Sequence, residues 1–177
     1  HQQRVRETFA HFGKECSIDL EKIFKDLEHN EDGLYKLRIV YDLEGNFKTQ
    51  MIPYAFPEIE TFELVENNDF SYAFKFADRT EFENMKKKAR AQEIIIVKNG
   101  QITDTSFSNL LFLKNQTWYT PKSFLLNGVQ RQNLLKQGKI KETEITLQNL
   151  NEFSHFQLIN SMNEFNQDFV YSIEELK

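Results

Sequence analysis

Apolar residues recur at helical spacing in the first part of the chain and predict two short helices. The first covers 1–12 and ends before Gly13, a residue type that favours helix termination. The second covers 20–27, with Ser17 or Asp19 as its N-cap. We expect each helix to bury one apolar face.

Alternating apolar and polar residues, separated by turn sequences, predict strands in much of the remainder. Three hairpins are predicted, with strands over 34–41 and 47–54, over 93–98 and 101–107, and over 110–114 and 117–120. The turn pair Asn99-Gly100 makes the second hairpin the most strongly indicated. Further strands are predicted over 59–64 and 154–159, and further helices over 80–91 and 128–135. Thr80 and Glu83 form a capping-box pattern at the start of the third helix.

Strict alternation over 70–76 predicts one more strand, in which Lys75 shares a face with the small residues Ser71 and Ala73. Such a face leaves room for a flat ring. Partial burial would lower the pKa of a lysine amine and make it a better nucleophile. A strand lysine that extends outward from a sheet edge is the alternative interpretation.

Strands outnumber helices and follow one another in hairpins, so the predicted fold class is α+β. The polar segment 65–69 is the candidate linker. It divides the chain into a small α+β domain over 1–68 and a larger, mostly antiparallel, β-rich domain with helices over 69–177. His1 lies inside the first predicted helix with no cap before it, so we expect the native chain to extend upstream and the first domain to be truncated.

The composition restricts the classes of partner. The 177 residues are 40% hydrophobic and 28% charged, as in an ordinary globular protein. A net charge of −5 argues against a nucleic-acid partner. Apolar runs are shorter than the roughly 20 residues that span a bilayer, so no membrane partner is expected. The single cysteine, Cys16, cannot form an internal disulfide, which favours the cytoplasm.

Common catalytic and metal-binding motifs are missing from the sequence. It has no HExxH, CxxC or GxSxG motif and no glycine-rich phosphate loop. The four histidines are scattered, so no metal site is predicted. Cys16 has no neighbouring base and is interpreted as a packing residue. A lysine therefore remains the most interesting candidate nucleophile.

Five segments from Lys75 onward follow one another in an order that resembles the class IV aminotransferases and the related aminodeoxychorismate lyases. These segments are KFADR at 75–79, EIIIVKNGQITD at 93–104, TSFSNLLF at 105–112, YTP at 119–121 with LLNGVQR at 125–131, and FQLINS at 156–161. HQQR at 1–4 resembles the family's first helix. Each segment alone is weak, but the shared order over about a hundred residues indicates the family.

The resemblance implies a two-domain fold of the D-amino-acid aminotransferase type, a homodimer, and pyridoxal 5'-phosphate as cofactor. It makes Lys75 the catalytic amine that carries the cofactor, and it places the Asp104 carboxylate at the pyridine nitrogen. The other cofactor-binding residues that it implies are Arg4, Ser161 and the backbone of Val129 and Gln130 at the phosphate, Arg79 at the phenolic oxygen, and Asn109.

The sequence departs from the family pattern at one position, and it leaves three activities open. The family has glutamate where this chain has Asp104, which is shorter by one methylene. Arg79, in place of the tyrosine of other members, favours a 4-amino-4-deoxychorismate lyase, which eliminates pyruvate to give 4-aminobenzoate for folate synthesis. A transaminase of the branched-chain or D-amino-acid type is the alternative, and a degenerate, non-catalytic homologue is a further one. In the first two cases the substrate is a small amino compound.

Overall fold

The computed structural model describes residues 1–28, 32–163, 165 and 169–176. Its helices are α1 (Gln2–His11), α2 (Leu20–Lys25), α3 (Thr80–Lys88) and α4 (Val129–Lys136). Its strands are β1 (Tyr35–Tyr41), β2 (Phe47–Pro53), β3 (Phe62–Glu66), β4 (Glu93–Lys98), β5 (Gln101–Thr105), β6 (Asn109–Lys114), β7 (Thr117–Pro121), β8 (Lys141–Thr143), β9 (His155–Ile159) and β10 (Tyr171–Ser172). The chain forms two compact units, His1–Pro57 and Glu58–Lys177.

The first unit packs two helices and a hairpin around a small core. Val5 and Phe9 of α1 are buried with Ile23 of α2, and Phe9 stacks on Tyr41 of β1 at 5.8 Å between ring centroids. Asp19 caps α2, since its carboxylate accepts two backbone hydrogen bonds from the first turn. The predicted helices and the antiparallel β1–β2 hairpin are confirmed.

The second unit is built on one sheet in the order β10-β9-β6-β5-β4-β3, with β7 and β8 branching from β6. Most neighbours are antiparallel, while β3–β4 and β7–β8 are parallel. Strand β4 is buried on both faces, since Ile95 and Val97 belong to one core cluster and Ile94 and Ile96 to another. The α+β class and the mostly antiparallel second part are confirmed.

The predicted strand over 70–76 is wrong. Residues 67–79 form an irregular segment, because its aromatic side chains pack against α3 instead of aligning in the sheet. Lys75 is exposed there, so the predicted partial burial is wrong as well.

One helix cap and one domain boundary also differ from the prediction. Helix α3 begins at Thr80 with Arg79 as its N-cap and without a side-chain capping bond, so the predicted capping box does not form. The structure divides the chain after Pro57, not after residue 68, because β3 pairs with β4 and thereby joins the second unit. Among the described residues, no helix is long and apolar enough to cross a membrane.

Candidate active site

The turn at 105–108, between β5 and β6, holds together several segments of the second unit. It is closed by a 2.9 Å hydrogen bond from the Thr105 amide to the Ser108 carbonyl. The Arg79 guanidinium donates to the Ser106 carbonyl, and the Asn160 amide donates to the Ser108 hydroxyl at 3.0 Å. The segment with Lys75 and Arg79 and the loop after β9 are therefore both attached to one turn.

Glu93, the first residue of β4, also holds this turn through hydrogen bonds. Its side chain is 1% exposed, and Oε1 accepts hydrogen bonds from the amides of Ser106 and Ile94, both at 3.0 Å. Oε2 accepts from Lys86 Nζ of α3 at 2.8 Å. A buried carboxylate of this kind is tolerated because each of its oxygens has a donor.

Asp104 is a buried carboxyl immediately before the turn. Its Oδ2 accepts from the amides of Leu125 and Leu126 at 2.9 and 2.8 Å, and its Oδ1 accepts from Asn109 Nδ2 at 2.7 Å. Burial raises the pKa of Asp104 to about 6, although these hydrogen bonds and the charge of Arg131 oppose the rise.

Asn109 and Gly128 fit together closely on the next strand and helix. Asn109 Nδ2 also donates to the Leu126 carbonyl at 2.9 Å, which ties β6 to the segment before α4. A Cβ atom added to Gly128 would lie 1.9 Å from Asn109 Oδ1. Gly128 has an ordinary φ of −66°, so the requirement for glycine here comes from this close approach and not from backbone strain.

The N-terminus of α4 follows directly. Gly128 is its N-cap, and the first amides, those of Val129 and Gln130, have no acceptor within the helix because of helix geometry. Such amides favour an anionic ligand. Arg131, the third residue of α4, is buried, donates to the Pro121 carbonyl at 3.1 Å and forms an ion pair with Glu142.

Arg79 and Lys75 come from the irregular segment before α3. The Arg79 guanidinium carbon lies 4.4 Å from the centroid of the Phe82 ring and 5.9 Å from that of Tyr72. Lys75 is the central residue of a three-residue turn, because the Phe76 amide donates to the Phe74 carbonyl at 2.8 Å.

Ser161 and Arg4 complete the predicted set. Ser161 is exposed in the loop after β9, and Asn160 Oδ1 shapes this loop by accepting from the amides of Met162 and Asn163 at 2.8 and 3.0 Å. Arg4 is half-buried on α1 in the first unit. Within the second unit, the structure thus links the Arg79 segment and the loop before Ser161 to the turn that follows Asp104.

Sequence reasoning missed Glu93 and Asn160, which position the site without belonging to any catalytic motif. Glu93 left one trace in the sequence, an acidic residue at the start of an otherwise apolar strand. Asn160 lies within the segment FQLINS, with no feature of its own that marks it. Neither pattern predicts a partner, since both depend on contacts between distant parts of the chain.

The donor set fits pyridoxal phosphate, the cofactor that the sequence implied. A buried carboxylate suits a protonated ring nitrogen, helix amides with a hydroxyl suit a phosphate, and a lysine suits an aldehyde. Asn109, which is hydrogen-bonded to the Asp104 carboxylate, also lies close against Gly128 at the start of α4. Fold and site together define a protein of the aminotransferase-like α+β class.

Comparison with known proteins gives the family. The sequence model described as amino-transferase class IV matches residues 1–166, and the chain belongs to this family. An uncharacterized protein of Haemophilus influenzae is 31% identical over 92% of this chain and 88% of its own length.

Solved structures agree with this family. A Haemophilus somnus protein, provisionally named a 4-amino-4-deoxychorismate lyase, is 37% identical with a TM-score of 0.85, over 93% of this chain and 88% of that one. A Mesorhizobium loti protein, provisionally named an amino-acid aminotransferase, has a TM-score of 0.79 over 100% of this chain and 89% of that one, at 18% identity. The second likeness shows the fold alone.

Proposed function

We propose that this chain is a pyridoxal-phosphate-dependent enzyme and that its reaction is that of a 4-amino-4-deoxychorismate lyase. The observation that carries the proposal is the buried Asp104 carboxylate beside the N-terminus of α4, in a network that also reaches Arg79. Arg79, where other members use tyrosine, and the name of the Haemophilus somnus relative both favour the lyase over a transaminase.

Each residue has a stated role in this proposal. Bound pyridoxal phosphate supplies an electron sink for the bond that breaks at the substrate α-carbon. Lys75 holds the cofactor through its amine and moves the α-proton as a general base. Arg79 binds the phenolic oxygen. The phosphate-binding groups are the amides of Val129 and Gln130, the Ser161 hydroxyl and the Arg4 guanidinium.

Asp104 has capacity left for the ring nitrogen in spite of its shorter side chain. A carboxylate offers about four acceptor positions, and Asn109, Leu125 and Leu126 use three of them. The remaining position is on Oδ1, which accepts one hydrogen bond, from Asn109 Nδ2, within the described part of the chain. Asn109 orients the carboxylate and so acts as its positioning partner.

Absorbance and chemical trapping test the cofactor assignment. Purified protein supplied with pyridoxal phosphate should be yellow, lose its visible band on borohydride reduction, and carry the adduct on Lys75 in peptide mapping. Lys75→Ala should lose the band and essentially all turnover, because it removes both the cofactor link and the base. Lys122→Ala is the matched control, since Lys122 is also exposed and lies in a loop of the second unit.

The outcomes separate the three activities. A colourless wild type indicates the non-catalytic homologue, and an adduct on another lysine contradicts the site. For a yellow protein, the product decides: 4-aminobenzoate and pyruvate from aminodeoxychorismate support the lyase. Transfer of the amine to a keto acid, without 4-aminobenzoate, identifies a transaminase instead.

Assembly and location belong to the proposal as well. We expect a homodimer, as the family resemblance implies, and a small amino compound as the substrate. The cytoplasm stays a prediction that rests on the single cysteine, Cys16.

A further inference from the structure

Tyr72 is a buried residue that contacts the Lys75–Arg79 segment at Phe76 and at Arg79. Its side chain is 6% exposed, and its hydroxyl donates to the Phe76 carbonyl at 2.6 Å. The hydroxyl therefore closes a loop around residues 73–75. Inside that loop, the Phe76 amide bonds to the Phe74 carbonyl, so the backbone on both sides of Lys75 is held.

The Tyr72 ring is itself fixed from the other side. It meets Phe82 of α3 edge to face at 4.8 Å and an interplanar angle of 87°, and it lies 6.2 Å from Phe70. The Arg79 guanidinium stands 5.9 Å from the same ring. Because Phe82 is buried in a regular helix, α3 provides a rigid base for this contact.

We infer that Tyr72 is a positioning residue, which sets the location of the Lys75 amine relative to Arg79 through its hydroxyl and its ring. The inference rests on the proposed function. The position of the backbone at Lys75 decides where its amine can reach, so a held backbone favours the geometry that the reaction needs. Tyr72 supplies this restraint through its hydrogen bond to the Phe76 carbonyl and the packing of its ring on Phe82.

The test is Tyr72→Phe, which removes one oxygen and keeps the ring that packs on Phe82. In the cofactor-free chain, the Phe76 amide should exchange with solvent about fivefold faster, because loss of the Tyr72 bond to the Phe76 carbonyl loosens the turn in which that amide is bonded. With pyridoxal phosphate, cofactor affinity should fall about fivefold and the pH midpoint of the visible band should shift. In turnover, kcat should fall while KM stays near its wild-type value.

If Tyr72 only stabilised the fold, its substitution would give a different set of results. Tyr119→Phe is the matched control, because Tyr119 is a half-buried tyrosine that packs on Phe153 in the other core cluster. It should leave the Phe76 exchange rate, the band and kcat unchanged. If Tyr72→Phe alters only the unfolding temperature, or behaves like Tyr119→Phe, the inference is overturned.

Failure of the inference and failure of the proposed function are distinguishable. A wild type that binds no pyridoxal phosphate overturns the proposed function, and the positioning role falls with it. A wild type that binds the cofactor, with a Tyr72→Phe variant of equal affinity and unchanged band, overturns the positioning role alone. Tyr72→Leu, which removes ring and hydroxyl together, should weaken cofactor binding further than Tyr72→Phe. Equal binding by the two variants would contradict the positioning role of the ring.

Discussion

At Asp104, burial and hydrogen bonding act in opposite directions on one carboxyl, and burial prevails, since its pKa is raised to about 6 from 3.8. The folded chain therefore binds more protons than the unfolded chain between about pH 4 and pH 6. The free energy of unfolding of the cofactor-free protein should fall as pH rises through this window, by about 3 kcal/mol from this group. Asp104→Asn should lack this part of the slope in denaturant titrations at each pH.

The same substitution has a functional consequence. A neutral amide cannot hold a proton on the ring nitrogen, so Asp104→Asn should fold but lose most turnover. Asp104→Glu is the matched control, since it keeps the charge and should retain activity. Equal pH slopes in wild type and Asp104→Asn would contradict the raised pKa, and equal turnover would remove Asp104 from the proposed site.

Substitutions at Gly128 and Asn109 should have non-additive effects on the free energy of unfolding. Gly128→Ala places a methyl group against Asn109 Oδ1, and since Asn109 is held at Asp104 and Leu126, we expect a loss of about 1–3 kcal/mol in unfolding free energy. Asn109→Ala has its own cost, but in the double variant the two losses should not add.

Gly138→Ala separates this effect from backbone strain. Gly138 has a φ of +67° and nothing within 4 Å of an added Cβ, so its cost is conformational only. Combined with Asn109→Ala, it should give a simple sum. Additivity in the Gly128 pair as well would show that the two residues do not compete for space.

Among the elements, the Glu93 side chain joins β4 to α3 and to the turn at 105–108. Glu93→Leu keeps the volume but leaves the Ser106 and Ile94 amides and Lys86 without their acceptor. We expect a loss of about 2–4 kcal/mol in the free energy of unfolding, measured by denaturant titration. Cofactor affinity should fall too, because Arg79 is bonded to the same turn.

Glu152→Leu is the control for loss of an ion pair alone. Glu152 is 51% exposed and pairs with Lys114 at 2.5 Å, so this change should cost at most about 1 kcal/mol. Similar losses for the two variants would mean that the backbone acceptors of Glu93 contribute little.

Local sequence was sufficient for elements whose partners are close in the chain. The β4–β5 hairpin follows from Asn99 and Gly100, which both adopt positive φ at the turn. The segment 70–76 has the alternation of a strand, yet Tyr72 is packed on Phe82 of α3 and bonded to Phe76. Alternating apolar and polar residues show that a segment could present two different faces as a strand. Whether it forms a strand depends on whether a neighbouring strand is available for pairing.

The residues of the candidate site likewise fall into those that the sequence predicted and those that it did not. Asp104, Asn109 and the start of α4 were predicted because they stand in a recognisable order, and the structure brings them into direct contact. Glu93 and Tyr72 could not be found, since their partners, Ser106 and Phe76, are identified only by the folded path of the chain.

At the scale of the whole molecule, many aromatic side chains remain at the surface. Six of the 17 phenylalanines are at least 39% exposed among the described residues, namely Phe12, Phe24, Phe47, Phe76, Phe124 and Phe169. Aromatic residues are enriched in the cores of interfaces, so burial against a second copy would remove part of this surface from water. This supports the expected homodimer.

Sedimentation at micromolar concentration, with cofactor bound, tests the assembly. We expect twice the chain mass of 21.1 kDa. Dilution should convert the dimer to monomer with a measurable dissociation constant, and the unfolding temperature should depend on protein concentration. A mass near that of one chain at every concentration contradicts the prediction.

The parallel pairing of β3 with β4 has a consequence for synthesis on the ribosome. Phe62 emerges well before its partner Glu93, because the irregular segment and α3 lie between the two strands. Meanwhile the hydrophobic residues of β3 can pair with other chains. Acidic residues within and beside the strand, among them Glu60, Glu63 and Glu66, repel such partners until β4 arrives. A neutral substitution of the exposed Glu60 should leave the finished fold almost unchanged but lower the yield of soluble nascent protein.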